Sequence, residues 1–205
     1  WGVEKAFKAL DGVIETTVGY TNGFTDNPTY EEVCRNETGY KEAVKVVYQP
    51  NVVSLSTLIR AFFLCIDPRQ QNRQGNDIGS QYQAGIYYVD EKDLDDIKPV
   101  YTNERMKYDS FFVELEPLKN FYTAEEYHQD YLDKHPFGYC HITSYEMEEV
   151  KKLNHIPCQI TVVLPSEKEI TLEVPKNTTI AELLQEVNTE HHIYAALINH
   201  KHVHF

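Results

Sequence analysis

A chain of 205 residues with 41% hydrophobic content can bury a core of its own, in one or two domains. Its net charge of -13 excludes nucleic acid or an anionic membrane surface as a general partner, and no run of about 18 apolar residues indicates a membrane span. The four cysteines, Cys34, Cys65, Cys140 and Cys158, are scattered without a Cys-x-x-Cys, which excludes a disulfide scaffold and suits a cytoplasmic chain with one or two redox-active thiols.

Residues 1–10 place Val3, Ala6, Phe7 and Leu10 at helical spacing, and Asp11-Gly12 ends that helix. Residues 13–20 read as a strand, and residues 21–29 are rich in turn signals, with Asn22-Gly23 and Asn27-Pro28. A second strand is predicted over 42–48. A helix follows over 54–65, capped by Ser54 or Ser56, with Leu55, Leu58, Ile59, Phe62 and Phe63 inward. Residues 72–82 form a polar loop punctuated by Gly75 and Gly79, whose side chains are expected to wire one another in place beside a pocket. Then come a strand over 83–89, a helix over 91–105 broken or bent near Pro99, a strand over 111–115 and a helix over 124–134. Strands and helices in this non-repeating order predict an α+β fold with a mixed sheet.

The charged stretch 143–156 reads as a linker containing a short helix. Beyond it, strands are predicted over 159–164 and 169–174, a helix over 180–187 capped by Asn177 or Thr178, and strands over 194–198 and 201–205. Over residues 157–205 this ββαββ pattern resembles a β-grasp module, most like the TGS and ubiquitin-like domains. His200, His202 and His204 would share one face of the last strand, with His191 and His192 nearby in sequence. No acid or cysteine is placed to complete a metal site, so an exposed polar face is expected.

The first 142 residues carry several separate motifs in order. They are Trp1-Gly2-Val3-Glu4, Gly19-Tyr20, Asn27-Pro28-Thr29-Tyr30-Glu31-Glu32-Val33-Cys34, Gly39-Tyr40-Lys41-Glu42-Ala43-Val44 and Asp67-Pro68. The Asn-Arg-Gln-Gly-Asn-Asp loop at 72–77, Ala124-Glu125-Glu126-Tyr127-His128-Gln129-Asp130-Tyr131-Leu132 and Gly138-Tyr139-Cys140 follow. Together they closely resemble the A-type peptide methionine sulfoxide reductases, which act on the S epimer of methionine sulfoxide.

That resemblance implies a set of roles. Glu42 matches the acid that protonates the sulfoxide oxygen, and burial at the start of an apolar strand would raise its pKa toward the working range. Tyr30 and Tyr82 match the hydroxyls that bind the oxygen. Asp77 matches the acid that orders the site and its water. Trp1 matches an aromatic wall for the substrate's methyl group. Cys140 matches the resolving cysteine, on a tail that nearby glycine would let swing inward. Thioredoxin or another thiol is the implied reductant, with no cofactor and no metal. Glu125, Tyr127 and His128 are expected to support the site, and Cys34 and Cys65 to pack as small apolar groups.

Two departures from the family stand out. Its nucleophile lies in a Gly-Cys-Phe-Trp-Gly segment, and this chain begins at the tryptophan. A cysteine or selenocysteine is therefore expected two positions ahead of Trp1 in a parent protein, and the chain alone is expected not to reduce sulfoxides. Tyr40 stands where the family usually has histidine, which bears on the tuning of Glu42. The alternative reading is a non-catalytic protein that binds sulfoxides or a partner and carries a regulatory β-grasp module.

Overall fold

In the computed structural model, which describes residues 1–35, 37–155 and four later strands, the chain forms two units, Trp1–Leu153 and Asn154–Phe205. The first unit opens with α1 (Gly2–Lys8) and β1 (Val13–Thr21). α2 (Tyr30–Cys34), β2 (Lys41–Tyr48) and α3 (Leu55–Cys65) follow. β3 (Arg73–Gln74) and β4 (Asp77–Ile78) form a small hairpin, and a 3-10 turn over Ser80–Tyr82 leads to β5 (Gly85–Tyr88). α4 (Leu94–Arg105), β6 (Glu114–Pro117), β7 (Phe121–Thr123), α5 (Tyr131–Lys134) and α6 (Ser144–Lys152) complete it.

β1 is the centre of an antiparallel sheet of order β2-β1-β7. Tyr20 lies opposite Glu42 on one side and Tyr122 on the other. β5 and β6 pair in parallel as a separate sheet, so the α+β fold keeps its parallel and antiparallel pairs apart. The main core gathers Ala6, Phe7 and Leu10 of the first helical segment, Leu58, Ala61 and Cys65 of α3, and Ile142 and Val150 from the far end of the unit. A second cluster joins Ile59, Ile86, Ile97 and Val100, and a third joins Val18, Tyr20, Val33, Tyr40 and Ala124.

Several elements differ from the pattern read along the chain, each for a local reason. α2 was not anticipated, although Thr29 and Glu32 form a full capping box at its start. Ser54, not Ser56, caps α3 by accepting from the Thr57 amide at 3.1 Å. α4 runs unbroken through Pro99, because Ile97 and Val100 on either side are buried and hold the helix against its neighbours. The strand expected over 111–115 begins at Glu114 instead. Phe111 packs edge-on against Tyr101 at 5.2 Å, and the Phe112 amide donates to the Pro68 carbonyl.

The helix expected over 124–134 is split. A 3-10 turn over Glu126–His128 stops before Asp130, which takes a left-handed φ of 57°, and only then does α5 begin. Side-chain bonds compete with the helix here. The Gln129 carboxamide accepts from the Val18 amide and donates to the Val18 carbonyl, adding a rung to β1. The Asp130 amide donates to Glu4 Oε2 at 3.1 Å.

The expected linker is also structural. α6 carries its own capping box between Thr143 and Glu146, and it packs against α1 and α3. Its Val150 has no solvent exposure. In the second unit, β8 (Cys158–Val163), β9 (Glu169–Val174), β10 (Ala195–Ile198) and β11 (Lys201–His204) form a sheet of order β11-β10-β8-β9, with every neighbouring pair antiparallel. The expected helix over 180–187, His191, His192 and His200 lie outside the described residues, as do the side chains of Cys158, His202 and His204.

Candidate active site

The polar loop after α3 holds itself together through glutamines. Gln74 accepts from the Asp67 amide and donates to the Asp67 carbonyl, while Gln70 accepts from the Gly75 amide. Gln83 accepts from the Asn72 amide and donates to the Ala84 and Phe112 carbonyls. These bonds satisfy backbone groups that no strand or helix serves, so a loop of polar residues keeps one shape. The shape presents Asp77 and, through the turn over Ser80–Tyr82, Tyr82 toward β2.

Glu42 is the second residue of β2. Its side chain is exposed to solvent in part, yet protein packs around the carboxyl. That crowding pushes its carboxyl up to about 7; the amino group of Trp1 opposes the rise and the Asp77 carboxylate adds to it. Burial is also the main cause that lifts the Tyr82 hydroxyl to about 12, with Glu42 and Asp77 contributing. Tyr30 is raised by burial, then by a hydrogen bond with Cys34, then by Tyr82 and Glu42. Glu42 acts on both phenols, Asp77 acts on Tyr82 and Glu42, and the Trp1 amino group acts on Glu42, so these groups lie near one another. Both phenols keep their protons at neutral pH and can donate.

Tyr30 is fixed from behind. Its amide donates to Glu125 Oε1 at 2.9 Å, and Glu125 Oε2 accepts from the Tyr20 hydroxyl at 2.7 Å. One carboxylate thus ties the start of α2 to β1. Cys34, one helical turn after Tyr30, is half-buried and acts on both the Tyr30 and Tyr82 hydroxyls. Tyr40 donates its hydroxyl to the Thr25 carbonyl, its ring lies edge-on to Tyr122, and it has 1% exposure. The charged groups acting on Glu42 are the Trp1 amine and Asp77, and the Tyr40 hydroxyl is engaged by the Thr25 carbonyl.

Trp1 is held by the segment that follows β7. Its Nε1 donates to His128 Nδ1 at 3.2 Å, and its ring stacks on Tyr131 with centroids 3.9 Å apart. Because Nδ1 accepts, the proton of the neutral imidazole is on Nε2, and burial keeps His128 below its ordinary pKa. Tyr127 is exposed and flanks the same imidazole. Trp1 is the chain's single tryptophan, so its fluorescence reports this grip directly. His128→Ala removes a hydrogen bond worth about 1 kcal/mol and should raise acrylamide quenching of Trp1 while the Tyr131 stack persists. Unchanged quenching would show that Tyr131 alone holds the ring.

Cys140 does not wait on a distant tail. A Cβ placed on Gly2 would stand 2.9 Å from Cys140 Sγ, so the sulfur already lies against the first turn of α1. The tail is pinned on both sides of it. The Tyr139 hydroxyl accepts from the Asn76 amide at 3.3 Å, and His141 Nε2 donates to the Cys65 carbonyl at 3.1 Å. The swing expected for Cys140 is therefore not needed to bring it to α1. Cys65 is a core residue, and burial pushes its thiol up to about 12. Among the described residues, no group of three His, Cys, Asp or Glu could hold a metal ion.

The arrangement offers an acid that titrates near neutrality, two phenol donors, an aromatic wall and a thiol beside α1. That set suits binding and protonating an oxygen acceptor on a small apolar group. A family model for peptide methionine sulfoxide reductase matches residues 1–159. The chain is 55% identical over 143 residues to the peptide methionine sulfoxide reductase MsrA of Clostridium acetobutylicum, covering 69% of this chain and 88% of that protein. It is 50% identical over 152 residues to MsrA of Lachnoclostridium phytofermentans, covering 74% and 92%. Among solved structures, Mxr1 from Saccharomyces cerevisiae in reduced form is similar with a TM-score of 0.65 at 38% identity, over 68% of this chain and 82% of that one. Methionine sulfoxide reductase A of Corynebacterium diphtheriae gives a TM-score of 0.64 at 36% identity, over 68% and 72%.

Proposed function

From the premise that this chain belongs to the peptide methionine sulfoxide reductase family, we propose how its residues divide the reduction of methionine-S-sulfoxide. A thiolate attacks the sulfoxide sulfur while neutral Glu42 gives a proton to the oxygen. The Tyr30 and Tyr82 hydroxyls donate to that oxygen and orient it. Asp77 orders the pocket and keeps Glu42 protonated. Trp1 packs the methyl group. The sulfoxide becomes a thioether, and the attacking thiol becomes a sulfenic acid.

The attacking sulfur is, in this proposal, a cysteine or selenocysteine in the place the family resemblance gives it, two positions ahead of Trp1. The support is the closeness of Glu42, His141 and Cys140 to the start of α1. Glu42 and His141 both feel the charge of the Trp1 amine, and Cys140 lies against Gly2. Cys140 then condenses with the sulfenic acid to a disulfide, releasing water, and thioredoxin reduces it by exchange. A reducing cytoplasm is the setting that recycling requires. For residues 157–205 the proposal is a small β module; four strands stand along the chain as the β-grasp pattern asks, but their all-antiparallel order lacks the parallel central pair of such a sheet.

What supports this function most is the grouping of Glu42, its carboxyl raised to about 7, with the Tyr30 and Tyr82 hydroxyls, both of which feel its charge. The test compares the chain with one extended by Gly-Cys-Phe ahead of Trp1, using both sulfoxide epimers and dithiothreitol. Activity on the S epimer in the extended chain alone is the expected result. A folded extended chain that binds sulfoxide without reducing it would favour the non-catalytic binder.

A further inference from the structure

We propose that Gly2 is a positioning residue for disulfide formation, its bare Cα forming the seat that lets the Cys140 sulfur lie against the first turn of α1. The proposal rests on Cys140 being the resolving thiol.

Gly2 is the buried first residue of α1. The glycines with positive φ are Gly12, Gly39, Gly75 and Gly79, so nothing in its backbone conformation calls for glycine. Alanine is the better helix former, by about 0.5–1 kcal/mol in a helix interior and by less at a first position. A packing reason must outweigh that preference. The nearest heavy atoms to a Cβ at this position are Cys140 Sγ at 2.9 Å, Ile142 Cδ1 at 3.0 Å and Ile142 Cγ1 at 3.3 Å. The sulfur is the closest of the three.

The sulfur has little room to retreat. Tyr139 is bonded to Asn76, His141 to Cys65, and Ile142 is buried in the core. A methyl group on residue 2 would therefore displace Cys140 from the place where α1 begins. In the step concerned, the S–O bond of the sulfenic acid breaks as the Cys140 sulfur forms the S–S bond. The hydroxyl leaves as water with the Cys140 proton, and no outside oxidant or reductant is involved. Such a step depends on near contact of the two sulfurs, and a misplacement of about 1 Å can cost about 100-fold.

The experiment uses the chain extended by Gly-Cys-Phe, mixed with excess methionine-S-sulfoxide and no reductant. Methionine formation is followed by chromatography, and disulfide formation by quenching, alkylation and mass spectrometry. In Gly2→Ala the ratio of disulfide rate to methionine rate should fall about 10- to 100-fold, with sulfenic acid accumulating and trapped by dimedone. Gly2→Ala/Ile142→Val relieves the second contact while leaving the first, and it should remain slow. It also serves if the single variant fails to fold. An unchanged ratio in Gly2→Ala, or a normal ratio in the double variant, overturns the proposal. No methionine from the folded Gly2 protein would instead refute the catalytic reading, and the proposal would fall with it.

Discussion

Glu42→Gln should make this chain more stable, and by more as pH rises from about 5 to above 7, while in the extended protein it should lower sulfoxide reduction by about 100- to 10,000-fold. The sign follows from the acid's environment. Its ordinary pKa is 4.5 and burial carries the folded value to about 7. The folded state thus holds the proton more tightly than the unfolded chain does. Glu42's contribution to stability is complete below about 4.5 and is lost as pH climbs through 7. Above that, a carboxylate remains in a place that disfavours charge, and glutamine relieves it. Solvent reaches the group, so the gain is a fraction of the full linkage value. Thermal unfolding of both proteins at pH 5, 6, 7 and 8 checks this on the 205 residues themselves. A gain independent of pH, or a loss at pH 8, would show that Glu42 is not a raised acid. In the extended protein, a peptide bond replaces the Trp1 amine that now opposes the rise, so the titration should move upward. Activity should fall as pH passes through that point, and the variant should lose this dependence along with most of its rate.

The pocket was legible in the sequence where its parts are local. Tyr30 follows a capping threonine, Glu42 opens an apolar strand, and Asp77 and Tyr82 belong to one glutamine-stitched loop. Spacing rules reach four residues along a helix and two along a strand. They cannot see Trp1 Nε1 on His128, which is 127 positions away, or the Gln129 carboxamide on Val18, 111 away. These distant side-chain bonds are also what split the helix expected over 124–134. The capping box at Thr29 was readable, but a five-residue helix leaves too little periodicity to draw attention. The seat of Cys140 at Gly2 was hidden for a related reason. A glycine in a sequence advertises backbone freedom, and here it marks the absence of a side chain. The stretch 143–156 reads as a linker because acids and lysines crowd its middle, at Glu146, Glu148, Glu149, Lys151 and Lys152. Among its described residues Val150 is the one fully buried, and it decides the matter together with Met147 and Leu153, apolar positions spaced among acids and lysines.

That last point makes the placing of a truncation decisive. Cutting after residue 142, at the end of the motif-bearing region, should unfold a large part of the first unit, whereas cutting after Leu153 should leave its thermal midpoint close to that of the full chain. The first cut removes α6, whose Val150, Met147 and Leu153 pack on the core formed by α1 and α3. Val150 alone accounts for about 2 kcal/mol of burial. Its loss also uncovers Ala6, Phe7 and Cys65 partners in the same cluster, and domains of this size have only about 5–15 kcal/mol in total. The damage falls next to function, because α1 begins at Gly2 and Trp1, and because Ile142, now at the chain's end, helps hold Cys140. The second cut spares every one of these contacts. Far-ultraviolet melts of residues 1–142, 1–153 and 1–205, with Trp1 quenching as a local probe, separate the outcomes. If 1–142 melts with 1–153, then α6 rests on the core without supporting it. If 1–153 melts well below the full chain, the first unit depends on residues 154–205, and the division of the fold at Leu153 does not describe how the protein holds together.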